Sequence, residues 1–178
     1  MKVNISKLYF IPIMVFAILI SCKNSSNEKI EIDLETEFSD SISKDKAEYF
    51  NYLYDGLVPQ ESYFVKSKLK YLKFRHEPES GFVERKVYFD LKTGSIKKFV
   101  LRLVIPDVNS FSNGVYEKHF DTIFVVFPKQ KLMITYSDNK IIDSTFRKSI
   151  FDENEEFIYK IKLITEQNYN QEKTNRID

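Results

Sequence analysis

From Tyr63 onward, apolar residues recur at every second position in short runs separated by turn residues, and this period limits what the chain can fold into. Tyr63, Val65, Leu69 and Tyr71 alternate with Phe64, Lys66, Lys68 and Lys70. Side chains change face at each residue of a strand, so such a pattern buries one side of a sheet. The phase slips at Leu72/Phe74, which predicts a β-bulge; a helix through Val65, Leu69 and Leu72 is the rival reading. Residues 76–81 read as a turn. Further strands are predicted over 82–91 and 95–105, joined tightly at Lys92-Thr93-Gly94. Others follow over 116–127, where Pro128 stops the run, and over 132–136 and 140–146. An acidic break at 152–156 precedes a last predicted strand in which Phe157, Tyr159, Ile161 and Leu163 alternate with Ile158, Lys160 and Lys162. Residues 106–114 form the longest loop-like stretch of the domain.

Helical spacing occurs in one place. Ala47, Phe50, Leu53, Tyr54 and Leu57 predict a helix over 43–56, with Ser43 as N-cap and Gly56 at its C-terminal end, before Pro59. Residues 22–42 are polar and acidic and read as a tether, although Ile30, Ile32 and Leu34 also alternate as in a short strand. The expected organisation is a segment 1–21, a tether 22–42, one β-rich domain 43–166 and a loose tail 167–178. The expected fold class is mainly β (α+β): an antiparallel meander, curled sheet or sandwich with one N-terminal helix.

Residues 1–21 have a different character. Lys2 and Lys7 precede an apolar run, 8–20, of 13 residues. A bilayer-spanning helix takes about 20 residues, so this run is too short. It fits the apolar core of a secretory signal peptide. The four residues that end it, Leu19-Ile20-Ser21-Cys22, resemble the lipobox of bacterial lipoproteins. That resemblance implies a diacylglycerol on the Cys22 sulfur and cleavage before Cys22, which becomes the first residue of the mature chain. It also implies acyl chains, including palmitate, held in a membrane. Lys23 after the cysteine favours the outer membrane, with the periplasmic and surface sides both open. Two acyl chains suffice for stable attachment where one does not.

The chain has 27 basic and 26 acidic residues, and loss of Lys2 and Lys7 with the signal leaves 25 against 26. Near neutrality argues against a nucleic-acid partner, which selects a basic domain. The charges are segregated, however. Residues 22–62 hold 4 basic and 10 acidic groups, whereas 63–105 hold 11 basic and 4 acidic. Lys66, Lys68 and Lys70 are expected on one strand face, with Lys97, Lys98 and Arg102 on the next hairpin. Together they form a candidate basic surface for an anionic envelope partner or a protein. The alternative is a solvated face that discourages edge pairing.

Familiar catalytic and cofactor motifs are missing: there is no phosphate loop, GxSxG, HExxH or CxxC. No cofactor is expected. Glu117, His119 and Asp121 would share one strand face, and two carboxylates around an imidazole can hold a divalent metal. Phe120 and Phe124 at the opposite parity are expected to face the core, which turns this trio toward water as a solvated face. The acidic run at 152–156 lacks the glycine and ligand spacing of a calcium loop and reads as a charged turn. The expected function is therefore a lipid-anchored, non-enzymatic binding or interaction module of the cell envelope. A protective or inhibitory lipoprotein against an exported toxin or enzyme is the alternative, and an enzyme of unrecognised type the third.

Overall fold

The computed structural model describes residues 30–53, 59–77, 81–138 and 140–175. The expected signal peptide over 1–21, Cys22 and Gly56 lie outside these. The alternating runs become β2 (Pro59–Val65), β3 (Lys68–His76), β4 (Phe82–Phe89), β5 (Ile96–Pro106), β8 (His119–Phe127), β9 (Leu132–Ser137) and β10 (Lys140–Asp143). With β1 (Glu48–Leu53) they build an eight-stranded antiparallel sheet in the order β1-β2-β3-β4-β5-β8-β9-β10. The short pair β6 (Phe111–Ser112) and β7 (Val115–Tyr116) branches off between β5 and β8. The expected mainly β, antiparallel meander is what forms. The sheet stays open, and helices rather than a second sheet cover its two faces.

The predicted helix over 43–56 is not formed. Helix α1 spans Ile30–Asp45 and ends where that helix was expected to begin. It stops because Lys46 turns into the left-handed region (φ 50°). The Lys46 N–H then donates to the Ser43 carbonyl and the Ala47 N–H to that of Ile42. These two bonds satisfy carbonyls that a helix end leaves open. Residues 48–53 instead carry Tyr49, Phe50 and Tyr52, aromatic residues that suit a pleated surface. Phe50 and Tyr52 pack on one face of the sheet, while Tyr49 meets Tyr63 on the other. Likewise, residues 30–42 are not a tether. Leu34, Phe38 and Ile42 fall four apart and lie along the sheet, an i, i+4 stripe.

The final strand and the loose tail are corrected in the same way. Residues 148–175 form one helix, α2 (Lys148–Asn175). Its buried residues are Asn154, Ile158, Ile161, Thr165 and Tyr169, spaced three and four apart, and Leu163 is exposed. The alternation over 157–163 was a chance overlay on this helical period, and the acidic run 152–156 lies on its early turns, with Asp152, Glu153 and Glu156 exposed around the buried Asn154. Tyr169, in the expected tail, stacks on Phe64 with ring centroids 3.7 Å apart. Among the described residues, no helix is long and apolar enough to cross a membrane.

The two helices divide the core. Opposite α1, Phe64, Leu72, Val87, Phe99, Leu101, Val126 and Met133 pack against α2. On the α1 face, Val100, Ile123 and Val125 meet Leu34, and Tyr71 and Tyr88 meet Phe38. Because both faces are covered, both parities of β5 are apolar through its middle. The region first read as one strand from Tyr63 is two, joined at Lys66 and Ser67, both at positive φ (51° and 58°). Such a pair makes a two-residue hairpin turn. The expected bulge exists but lies at Lys70: β2 Tyr63 and Phe64 face Tyr71 and Leu69, leaving Lys70 out of register.

Candidate functional surfaces

The six residues of the candidate basic surface do not act together. Lys66 sits in the β2–β3 turn and Lys68 at the start of β3, where its ammonium reaches the Leu91 carbonyl at 3.4 Å. Arg102 is clamped by Asp121, with Nη2 to Oδ2 at 2.8 Å. Lys70 and Lys98 meet acids of α1: Lys70 pairs with Asp45, and Lys98 with Glu37 at 2.5 and 2.7 Å. Two lysines absent from the predicted set do the same, since Glu35 takes Lys73 at 2.9 Å and Lys86 at 2.6 Å. The acidic N-terminal block and the basic middle block thus neutralise each other inside the fold.

Magnitudes assign the roles. Burying Leu34 and Phe38 stabilises by about 1.5–3 kcal/mol each. The carboxylates of Glu35 and Glu37 are 44% and 48% exposed while Lys86 and Lys98 beneath them are buried, so water screens each pair from one side and draws its net contribution toward the roughly 1 kcal/mol of exposed pairs. Apolar contact holds α1 down, and the ion pairs set where along the sheet it lies. Burial alone would raise the Glu35 carboxyl. Hydrogen bonds from Lys86 and Lys73 outweigh it and hold the group below its ordinary range. Hydrogen bonds from Lys70 and then Tyr71 lower Asp45 in the same sense.

Where α1 nears its end, it leaves an open cleft of about 310 Å³ against the sheet. Lys70, Lys97 and Lys98 line it with Glu37, Tyr71 and Tyr88. Lys97 is there because β5 bulges: Tyr88 and Phe89 face Lys98 and Ile96, so Lys97 drops out of register and stays exposed. Lys70 and Lys98 are matched by carboxylates, whereas Lys97 has none among the described residues and leaves the cleft positive. Burial pushes the Tyr88 phenol well up, so it stays a neutral donor. Its hydroxyl, though buried, has no hydrogen-bond partner among the described residues. The arrangement suits an anionic group laid beside aromatic walls.

Glu117, His119 and Asp121 are not brought together. Glu117 lies in the turn before β8, His119 is exposed at the start of that strand, and Asp121 belongs to Arg102. Phe124 is buried as expected, but Phe120 is 60% exposed. Among the described residues no three His, Cys, Asp or Glu side chains form a metal-sized group.

A strongly apolar surface lies in the stretch expected to be a loop. Between β5 and β8 the chain makes a 3-10 turn at Val108–Ser110 and then the β6–β7 hairpin. Here Ile105, Val108, Phe111, Val115 and Phe120 are 52–72% exposed. The scaffold is well bonded: the Asp107 side chain accepts from the Asn109 N–H at 3.0 Å, and the Asp107 N–H donates to the Lys118 carbonyl at 2.9 Å. Asn113 and Gly114, both at positive φ (51° and 84°), make the turn. Asn-Gly flanked by apolar residues is the strongest short hairpin signal, and it was present to be read within the stretch taken for loop.

No family model, no curated protein and no solved structure matches this chain.

Proposed function

We propose that this chain is a lipid-anchored cell-envelope protein, held by acyl chains on Cys22, that works as an interaction module rather than as an enzyme. Its binding site is the cleft beside Lys97, and its partner presents an anionic group there, a carboxylate or phosphate on an envelope macromolecule. The outer membrane is the favoured location. The observation that supports this reading is the convergence of Lys70, Lys97 and Lys98 on one open cleft in which, among the described residues, Lys97 alone lacks a carboxylate.

The test is affinity capture of the lipidated protein from its own envelope, run side by side for the native chain and Lys97→Glu. The expected result is a partner retained by the native chain, weakened by salt and lost with Lys97→Glu. A partner that binds both forms equally and ignores salt contradicts the assignment to this cleft.

A further inference from the structure

The β6–β7 hairpin displays its apolar residues in a way that the rest of the fold does not require. From Val108 to Tyr116 there is no charged residue, in a chain that is 30% charged. Phe111 and Tyr116 lie against each other with ring centroids 4.9 Å apart. Ile105 and Phe120, directly paired across β5 and β8, continue the apolar stripe of the α2 face beyond the cover of α2. A charge-free projection of this kind marks an interaction site.

Chain length argues for what covers it. Helix α1 begins at Ile30, so eight residue steps separate it from Cys22. Fully extended, these reach at most roughly 29 Å, at 3.3–3.6 Å each. Strand β5 alone, with 11 residues, is roughly 36 Å long at about 3.3 Å per residue. An acylated Cys22 therefore keeps the body of the protein nearer to the bilayer than the length of its own central strand. The attachment enters on the α1 face of the sheet, over the middle of the two strands that carry the hairpin. Leu34, one turn into α1, packs on Val100, Ile123 and Val125 of β5 and β8, the two strands that carry the hairpin at their ends.

We infer that the hairpin is a second membrane contact: Val108, Phe111, Val115 and Tyr116 enter the interface of the bilayer that holds the acyl chains and fix the orientation of the domain on it. Tyr116, with an apolar ring and a polar hydroxyl, is the type of residue that settles at that depth, and Phe111 against it adds apolar area. Ile105 and Phe120 stand behind them. The contact rests on the lipid-anchor reading, and it leaves the Lys97 cleft free for its own partner.

Because the chain contains no tryptophan, Phe111→Trp supplies a single indole reporter at the tip, and Ile141→Trp on the exposed β10 edge supplies a control. Each full-length protein is produced with its lipid, checked for folding by circular dichroism, and reconstituted in phosphatidylethanolamine/phosphatidylglycerol vesicles with and without brominated acyl chains. The expected result is blue-shifted emission from the Phe111→Trp protein, quenched by the brominated lipid, while the Ile141→Trp protein keeps water-like, unquenched emission. If Cys22 is acylated and the protein stays with the vesicles, yet the tip reporter remains water-like and unquenched, the hairpin contact is overturned and the anchor stands. A protein partner for the patch is then the outcome. If Cys22 carries no lipid and the protein leaves the vesicles, the anchor reading falls and the inference with it.

Discussion

Gly81 sits at φ +109°, and a Cβ added there would lie 2.1 Å from the backbone carbonyl oxygen of Val104 on the neighbouring strand. Neither the backbone region nor the contact tolerates a side chain. Gly81→Ala is expected to lower stability by about 1–3 kcal/mol, the usual cost of such a strained residue. Urea denaturation reads it as a lower midpoint at unchanged slope, and a change under about 0.5 kcal/mol, the scatter of surface substitutions, counts against the geometry. A glycine in the turn between two strands was legible in the sequence. The turn at Lys66 and Ser67 was not, because neither residue type announces a positive φ, and two strands were read as one. Lys97 was read as one member of a basic surface; the bulge that sets it apart from Lys98 is a property of pairing with β4.

The elements at the two ends of the chain account for the larger misreadings. Helix α1 was hidden by its acidity, since segments rich in charge and poor in apolar residues read as tethers. Its Leu34, Phe38 and Ile42 stripe is thin because the basic sheet face supplies the rest of its environment. Helix α2 was hidden by a short alternation that its true period, Asn154 to Tyr169, overrides once the whole element is considered. Docking of α1 carries a pH signature. Glu35 and Asp45 have ordinary values of 4.5 and 3.8, and both are lowered in the fold. The unfolded chain therefore binds more protons in this range, and stability rises with pH through it. The contribution is complete above about pH 5 and disappears as pH falls through the lowered values. Thermal melting from pH 7 to pH 3 is expected to be flat at first and to fall in acid. The Glu35→Gln/Asp45→Asn chain is expected to melt lower at pH 7, with a shallower acid decline; an identical decline in both chains contradicts this role for the pairs.

At the scale of the whole molecule, the segregation of charge along the chain was plain to read, but its destination was not. An acidic block followed by a basic one suggested an external anionic partner. The fold instead lays one block onto the other and leaves the cleft beside Lys97 as the remainder of that surface. The antiparallel meander was readable because hairpin-linked alternation is a local property. The apolar hairpin lay inside a stretch read as loop, since apolar residues there follow no period. Together these place two surfaces on a domain joined by a short stretch of chain to Cys22: a positive cleft and an uncharged apolar tip. Attachment through that residue would set where both surfaces work. Mass spectrometry of the protein recovered from the membrane fraction tests it directly. The prediction is a mature chain that begins at Cys22 and carries a diacylglycerol there, with residues 1–21 gone. A mature chain that retains residues 1–21, or that has an unmodified Cys22 thiol, would contradict it.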